Sequence, residues 1–240
     1  VFNVGAEGQL FIGGLAAAWV GLRVGGFPPI IALSLMLLAA MLAGAMWAGI
    51  AAFLKVRFHA SELINTIMLN YVAIFLVSYL VHGPFQDPDS PLGQTARLTR
   101  AASLPVILPG TRLHWGILLT ILVAIVMWVL VWRTTWGFRM RVVGRNPVAA
   151  RNAGMNVTFS VVSAFLLSGA LAGMAGFTEV AGVQHRMIEN LSPGYGYTAI
   201  VVALLGQLNP LAVLASAVLF AALQVGGSTM ESAVGVPSSV

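Results

Sequence analysis

The side chains able to hold a polar molecule in this chain of 240 residues fall into short groups at helical spacing. Glu62, Thr66 and Asn70 recur every four residues with Asn65 beside them, so one helix gathers a carboxyl, a hydroxyl and amides on a single stripe. Asn3 and Glu7 are likewise four apart, with Gln9 close by, in a stretch bracketed by Gly5 and Gly8. Tyr195 and Tyr197 stand in a second glycine-rich stretch, Ser192-Pro193-Gly194-Tyr195-Gly196-Tyr197. Amides, hydroxyls and phenols are what a sugar or a base edge needs for hydrogen bonding. They equally serve to bond one membrane helix to another, and at this stage both readings of the stripe stay open. Glu7 contacts a solute or pairs structurally with a neighbouring helix. Glu179 follows Gly169, Ala172 and Gly176 at helical spacing, which puts it on a small-residue face and favours a gating or structural role over solute contact.

Bond-making chemistry has little to stand on. No catalytic residue is assigned, since no carboxylate pair, Ser-His arrangement or nucleophile motif stands out. Lys55, the single lysine, follows Leu54 rather than glycine, which rules out a Gly-Lys-Ser/Thr phosphate loop. With no cysteine, thiol chemistry and cysteine metal sites are excluded. His59, His82, His114 and His185 are scattered without metal-ligand spacing, so no metal is expected.

The elements that position these residues are membrane helices. The chain is 59% hydrophobic and 8% charged with a mean hydropathy of +0.93, whereas soluble domains carry about a quarter of their residues as charges. Its apolar runs suit a hydrocarbon layer of about 30 Å and lack the alternation of barrel strands. The expected fold is therefore all-α, a polytopic transmembrane helix bundle. Spans are read at Gly8 to Leu22, Pro29 to Leu54, Glu62 to Val81, Ile117 to Trp132 and Phe159 to Ala181. The run from Tyr197 to Val225 is interrupted by Gly206, Asn209 and Pro210 and reads as a broken or re-entrant helix followed by a crossing. Ala40, Gly44, Ala48 and Ala52, and Gly169 and Gly173, are spaced for close helix packing.

Basic loops set the orientation. Lys55 and Arg57, then Arg133, Arg139, Arg141, Arg145 and Arg151, mark two cytoplasmic loops, the second spanning 133–158. The loop at 82–113, with Pro84, Pro88, Pro91, Pro105, Pro109, Asp87 and Asp89, then lies outside, and Arg186 and Glu189 fall in another outer loop. The formal charge of +5 is read as topology signalling, with no nucleic-acid partner. The whole of 1–240 is taken as one membrane domain, a fragment open at both ends.

The 133–158 loop carries the most informative stretch, Gly144-Arg145-Asn146-Pro147-Val148-Ala149-Ala150-Arg151-Asn152-Ala153-Gly154. Asn146 is a good N-cap, Pro147 suits the first helical position and Gly154 the end, so a two-turn helix outside the membrane is predicted. Arg145 and Arg151 stay available for ion pairs. Acidic lipid headgroups are one place such a helix could rest. Val148-Ala149-Ala150 with Gly154 resembles the Glu-Ala-Ala, three residues, Gly loop of ABC-importer permeases, with Val148 where the best-known version has an acid. Phe2 to Gln9, Asn65 to Tyr71 and Leu191 to Tyr197 resemble the permeases of the branched-chain amino acid, ribose and nucleoside group, most closely the nucleoside type.

That resemblance implies a multi-pass protein of the bacterial cytoplasmic membrane, here without its N-terminal helices and its last C-terminal helix. It implies a permease subunit translocating nucleosides or related small polar solutes by alternating access. Gly144 to Gly154 would be the coupling helix, and Asn3, Glu7, Gln9, Asn65, Thr66, Asn70, Tyr195 and Tyr197 would border the substrate pathway. Glu62 and Glu179 would act in gating or structure. The implied partners are ABC ATPase subunits, a second permease subunit in a homo- or heterodimer, an extracytoplasmic solute-binding protein and the lipid bilayer. No cofactor is expected on this chain, ATP and magnesium belonging to the ATPase. A monosaccharide or a branched-chain amino acid is the alternative cargo. A proton- or sodium-coupled carrier using Glu7, Glu62 and Glu179 is the alternative of another class, and it has no need of the Asn146 to Gly154 knob.

Overall fold

A computed structural model describes residues 2–108, 110–111 and 113–234, with the side chains of 228 and 231–234 left aside; Pro109 and Arg112 of the outer loop lie outside the described residues. In chain order the helices are α1 (Ala6–Gly21), α2 (Pro29–Phe58), α3 (Glu62–His82), α4 (Gly116–Arg133), α5 (Thr135–Arg145), α6 (Pro147–Asn152), α7 (Val157–Glu179), α8 (Tyr195–Leu205) and α9 (Pro210–Val234). A π-helical turn, Val180–Gln184, extends α7. By length and apolarity, α2, α3, α4, α7 with its extension and the first part of α9 are able to cross a membrane.

The core is the trio α1, α2 and α7, with α3 and α8 laid against α1. Small residues make this possible. A Cβ added to Gly173 would overlap the Ala40 carbonyl, and one added to Gly169 would overlap the Gly44 carbonyl. Backbones thus meet directly where the spacing of Ala40, Gly44, Ala48, Gly169 and Gly173 predicts a seam. Around the seam Met36, Phe165, Phe177, Val77 and Val180 are fully or almost fully enclosed.

Three expectations need correction. The first span is a helix of 16 residues, shorter than a crossing. Its start lies beside Asn70, near the middle of the 21-residue α3, and its end reaches the outer loop, where Gly21 meets Leu98. Asn3 accounts for the late start, because its Oδ1 accepts from the Gly5 amide at 2.9 Å and holds the chain out of the helix. Second, Glu62 has its partner outside α3. It opens α3 and forms an ion pair with Lys55 in the last turn of α2. Third, the 133–158 loop holds two helices, since α5 precedes the predicted two-turn helix. Thr134 makes that turn, its Oγ1 accepting from the Gly137 amide at 3.1 Å and donating to the Leu130 carbonyl at 2.6 Å.

The outer loops are pinned to one another. The Thr95 amide donates to the Met187 carbonyl at 2.9 Å, the Met187 amide donates to Thr95 Oγ1 at 3.0 Å, and the Leu98 amide donates to the His185 carbonyl at 2.8 Å. Glu189 is no free surface charge, for its Oε1 accepts from Ser78 Oγ at 2.7 Å and its Oε2 lies 3.7 Å from His82 Nε2. Burial, and next to it His185, holds the His114 imidazole below its ordinary pKa.

Candidate functional site

The polar groups picked out by spacing converge on one place, the level of Asn70 in mid-α3. Asn70 is fully enclosed; its Oδ1 accepts from the Gly8 amide at 2.8 Å, and its Nδ2 donates to the Val4 carbonyl at 2.9 Å and the Tyr197 hydroxyl at 3.1 Å. One amide therefore ties the entry of α1 and the first turn of α8 to α3. Each of those backbone groups would otherwise be unpaired in a low-dielectric interior, which is costly.

The segment from Met187 to Gly194 descends from the outer loops to this level, and α8 continues from there toward the cytoplasmic side. The tight reversal at Gln207 and Leu208, both at positive φ of 50° and 57°, then sends α9 back alongside α8. So α1 runs outward and α8 inward from a common level, with their N-termini together. Glu7, 2% exposed, sits between them: its Oε2 accepts from the Gly196 amide in the first turn of α8. Two helix N-termini, each carrying partial positive charge and unpaired N–H groups, share one carboxylate. A side chain at Gly196 would collide with the Glu7 backbone, so glycine is required for that approach.

Asn3 and Gln9 form a reciprocal pair at 3.0 and 3.2 Å, and Asn3 Nδ2 also donates to Ser168 Oγ of α7 at 2.9 Å. Thr66, fully buried, donates to the Glu62 carbonyl at 2.8 Å. Glu7, Gln9, Thr66 and Asn70 thus have essentially no surface to offer a solute in this conformation, and they serve as joints between helices. Asn65 differs, because its half-exposed side chain carries a buried Nδ2 without a protein partner. Glu179, at the switch from α to π geometry, accepts from Gln184 Nε2 at 3.2 Å.

Tyr195 and Tyr197 are 41% and 38% exposed, so they, unlike the joints beneath them, can be touched. Tyr195 shares a cavity of about 560 Å³ with Pro193, Phe220, Leu223, Gln224, Val225 and Gly227, where the start of α8 faces the middle of α9. That volume falls within the range of about 300–1,000 Å³ typical of small-molecule sites. Phe220 and Gln224 were invisible to sequence reasoning as site residues, although their four-residue spacing puts them on one face of α9.

The knob from Asn146 to Gly154 takes the shape its sequence dictates. Asn146 Oδ1 accepts from the Val148 and Ala149 amides at 3.1 and 3.0 Å, Pro147 opens α6, and Gly154 closes it at φ +75°. Gly144, Arg145, Asn146, Pro147, Val148, Ala149, Arg151 and Gly154 are exposed. Ala150 is the exception, turned inward and fully buried, so it seats the knob and presents nothing outward.

Half-length helices whose N-termini meet within a bundle of membrane-length helices are a feature that solute transporters use. The chain belongs to the family described as branched-chain amino acid transport system / permease component, whose model matches residues 1–237. It is 41% identical over its whole length to a glucose ABC transporter permease protein of Haloferax volcanii, covering 66% of that protein. It is 38% identical to a guanosine ABC transporter permease protein of Bacillus subtilis and 30% identical to a nucleoside ABC transporter permease protein of Lactococcus lactis, covering 70% and 68% of them. The chain thus spans about two thirds of the length of the curated relatives it matches. No solved structure matches it significantly.

Proposed function

We propose that this chain is the membrane-spanning part of an ABC importer permease that moves nucleosides across the cytoplasmic membrane by alternating access. The observation that carries the reading is the cavity bordered by Tyr195, Phe220 and Gln224 at the mid-depth break. Aromatic rings offer a face to a base, and an amide offers paired donor and acceptor to its edge. The guanosine and nucleoside permeases among its relatives support the same cargo.

In the mechanism, a solute-binding protein delivers cargo to the outer loops, and closure of two ATPase subunits pushes on the exposed face of α6 in each of two permease subunits. Among the described residues no phosphate-binding loop accompanies α6, and the hydrolysis of magnesium-bound ATP falls to the partner. Glu7, Asn70 and the Asn3–Gln9 pair keep α1 and α8 joined while the subunits rock. An ion-coupled carrier loses its support, because Glu7, Glu62 and Glu179 are each engaged by groups of the chain itself.

The 41% identity to a glucose permease favours one second reading, a monosaccharide importer. Uptake into vesicles holding the intact permease with its ATPase and binding protein separates the two. Competition of labelled guanosine uptake by other nucleosides but not by glucose supports the first reading. Inhibition by glucose alone, or no guanosine uptake, sinks it. Ala149→Glu in the same vesicles should leave ATP hydrolysis intact and abolish uptake; unchanged coupling would remove α6 from the docking surface.

A further inference from the structure

Tyr71 closes the Asn65 to Tyr71 stretch of α3 and takes no part in the joint built by Asn70. It lies one residue from the midpoint of the 21-residue helix. Its side chain is 51% exposed, and among the described residues its hydroxyl has no hydrogen-bond partner. Two bonds fix which side of α3 it occupies. Ser78, seven residues on and so on nearly the same stripe, donates from Oγ to Glu189 Oε1 at 2.7 Å. Asn70, the residue before, donates to the Tyr197 hydroxyl at 3.1 Å. Tyr71 therefore borders the chain that descends from Glu189 to the start of α8, at the level where Tyr195 and Tyr197 are also open to contact.

Lipid is a poor neighbour for this residue. The exposed side chains near the middle of α4 are Leu122, Ile125 and Val126, and the exposed tryptophans, Trp115 and Trp132, stand at its ends. That is the pattern of a lipid face, with polar-tipped rings kept to headgroup level. Tyr79, two turns nearer the outer end of α3, fits it. Tyr71 does not. The headgroups lie about 15 Å away, half the thickness of the hydrocarbon, and a tyrosine side chain cannot span that. An unpaired phenol hydroxyl in hydrocarbon is costly, and the cost disappears where the face meets water or a polar solute.

We propose that Tyr71 faces the water-filled pathway at mid-depth and contacts the cargo there, its ring against a base and its hydroxyl bonded to the base edge or the ribose. This rests on the nucleoside transport proposed above and adds a residue of α3 to the pathway wall. A ring-bearing polar solute uses both parts of the phenol, whereas a lipid tail uses one. The competing arrangement is a further helix packed over Tyr71, which supplies an acceptor but shuts out water.

The chain has no cysteine, so single introduced cysteines report on water directly. In vesicles holding the intact permease with its ATPase and binding protein, Tyr71→Cys and Val126→Cys are treated with a charged methanethiosulfonate, at rest and during ATP-driven turnover. Mass spectrometry of the permease follows the adduct. Val126, 50% exposed, matches Tyr71 in exposure but stands on the leucine- and isoleucine-rich face of α4. A thiol reacts as thiolate, which needs water, so Tyr71→Cys should react at least about tenfold faster. Saturating guanosine should slow that reaction. Equal rates for the two variants in both states would overturn the proposal. So would a Tyr71→Cys reaction that guanosine leaves unchanged while the unaltered protein takes guanosine up. If the unaltered vesicles take up no guanosine, the nucleoside reading fails by itself, and the two rates still decide whether Tyr71 faces water. Should Tyr71→Cys fail to fold, Phe75→Cys, one turn along the same face and 69% exposed, takes its place.

Discussion

Where α1, α2 and α7 face one another the residues are glycine and alanine and the backbones touch, whereas α4 and α9 show leucine, isoleucine and valine to their surroundings. Of the apolar windows, 28% of α7 is buried but 6% of α4 and 6% of α9. Hydrocarbon gives helices no hydrophobic reason to associate, so the first group is held by close van der Waals contact and by the joints at Asn3, Glu7 and Asn70. The second group turns its apolar side chains outward, and in the proposed function α9 also borders the solute through Phe220 and Gln224.

The largest effect should come from breaking the seam. Gly173→Leu forces a side chain into the Ala40 carbonyl and should cost more than about 4 kcal/mol, leaving no monodisperse protein on size-exclusion chromatography. Val218→Ala, on the exposed face of α9, should change the melting midpoint by no more than about 0.5 kcal/mol implies. Equal tolerance of the two would erase the contrast. Next in size is Asn70→Ala, which strands the Gly8 amide and the Val4 carbonyl and should cost about 1–3 kcal/mol in thermal unfolding. Tyr197→Phe removes only the hydroxyl at the same joint and should cost less; the reverse order would place the joint at the tyrosine.

Lys55→Met should cost no more than about 1 kcal/mol, because both members of the pair with Glu62 are partly solvated. The smallest effect is one of pH. With its pKa held down in the fold, His114 gives stability that is complete above its ordinary value of 6.5 and declines as pH falls through the lowered one. Melting curves of His114→Gln should lose that part of the acid dependence, and an unchanged profile would place the dependence elsewhere.

The amino-acid sequence alone determined the membrane class, the spans at α2, α3, α4 and α7, the broken α8–α9 hairpin and the Asn146-capped knob. These rest on local rules, namely run length, small-residue spacing, capping side chains and the position of proline and glycine. It also singles out polar residues that the fold brings together around Asn70, since a polar side chain in an apolar run is conspicuous anywhere. Only the tertiary structure decided what they do. A stripe has the same spacing whether it faces water or a neighbouring helix, and the neighbours of Asn70 come from residues 4, 8 and 197 of the chain. For the same reason run length gives α1 as a full span whereas Asn70 fixes its start at mid-depth, and the spacing of Glu62 does not reveal its partner Lys55 across the turn. Phe220 and Gln224 are ordinary residues on an apolar helix, and their proposed role rests on Tyr195 being placed opposite them by a reversal at Gln207 and Leu208.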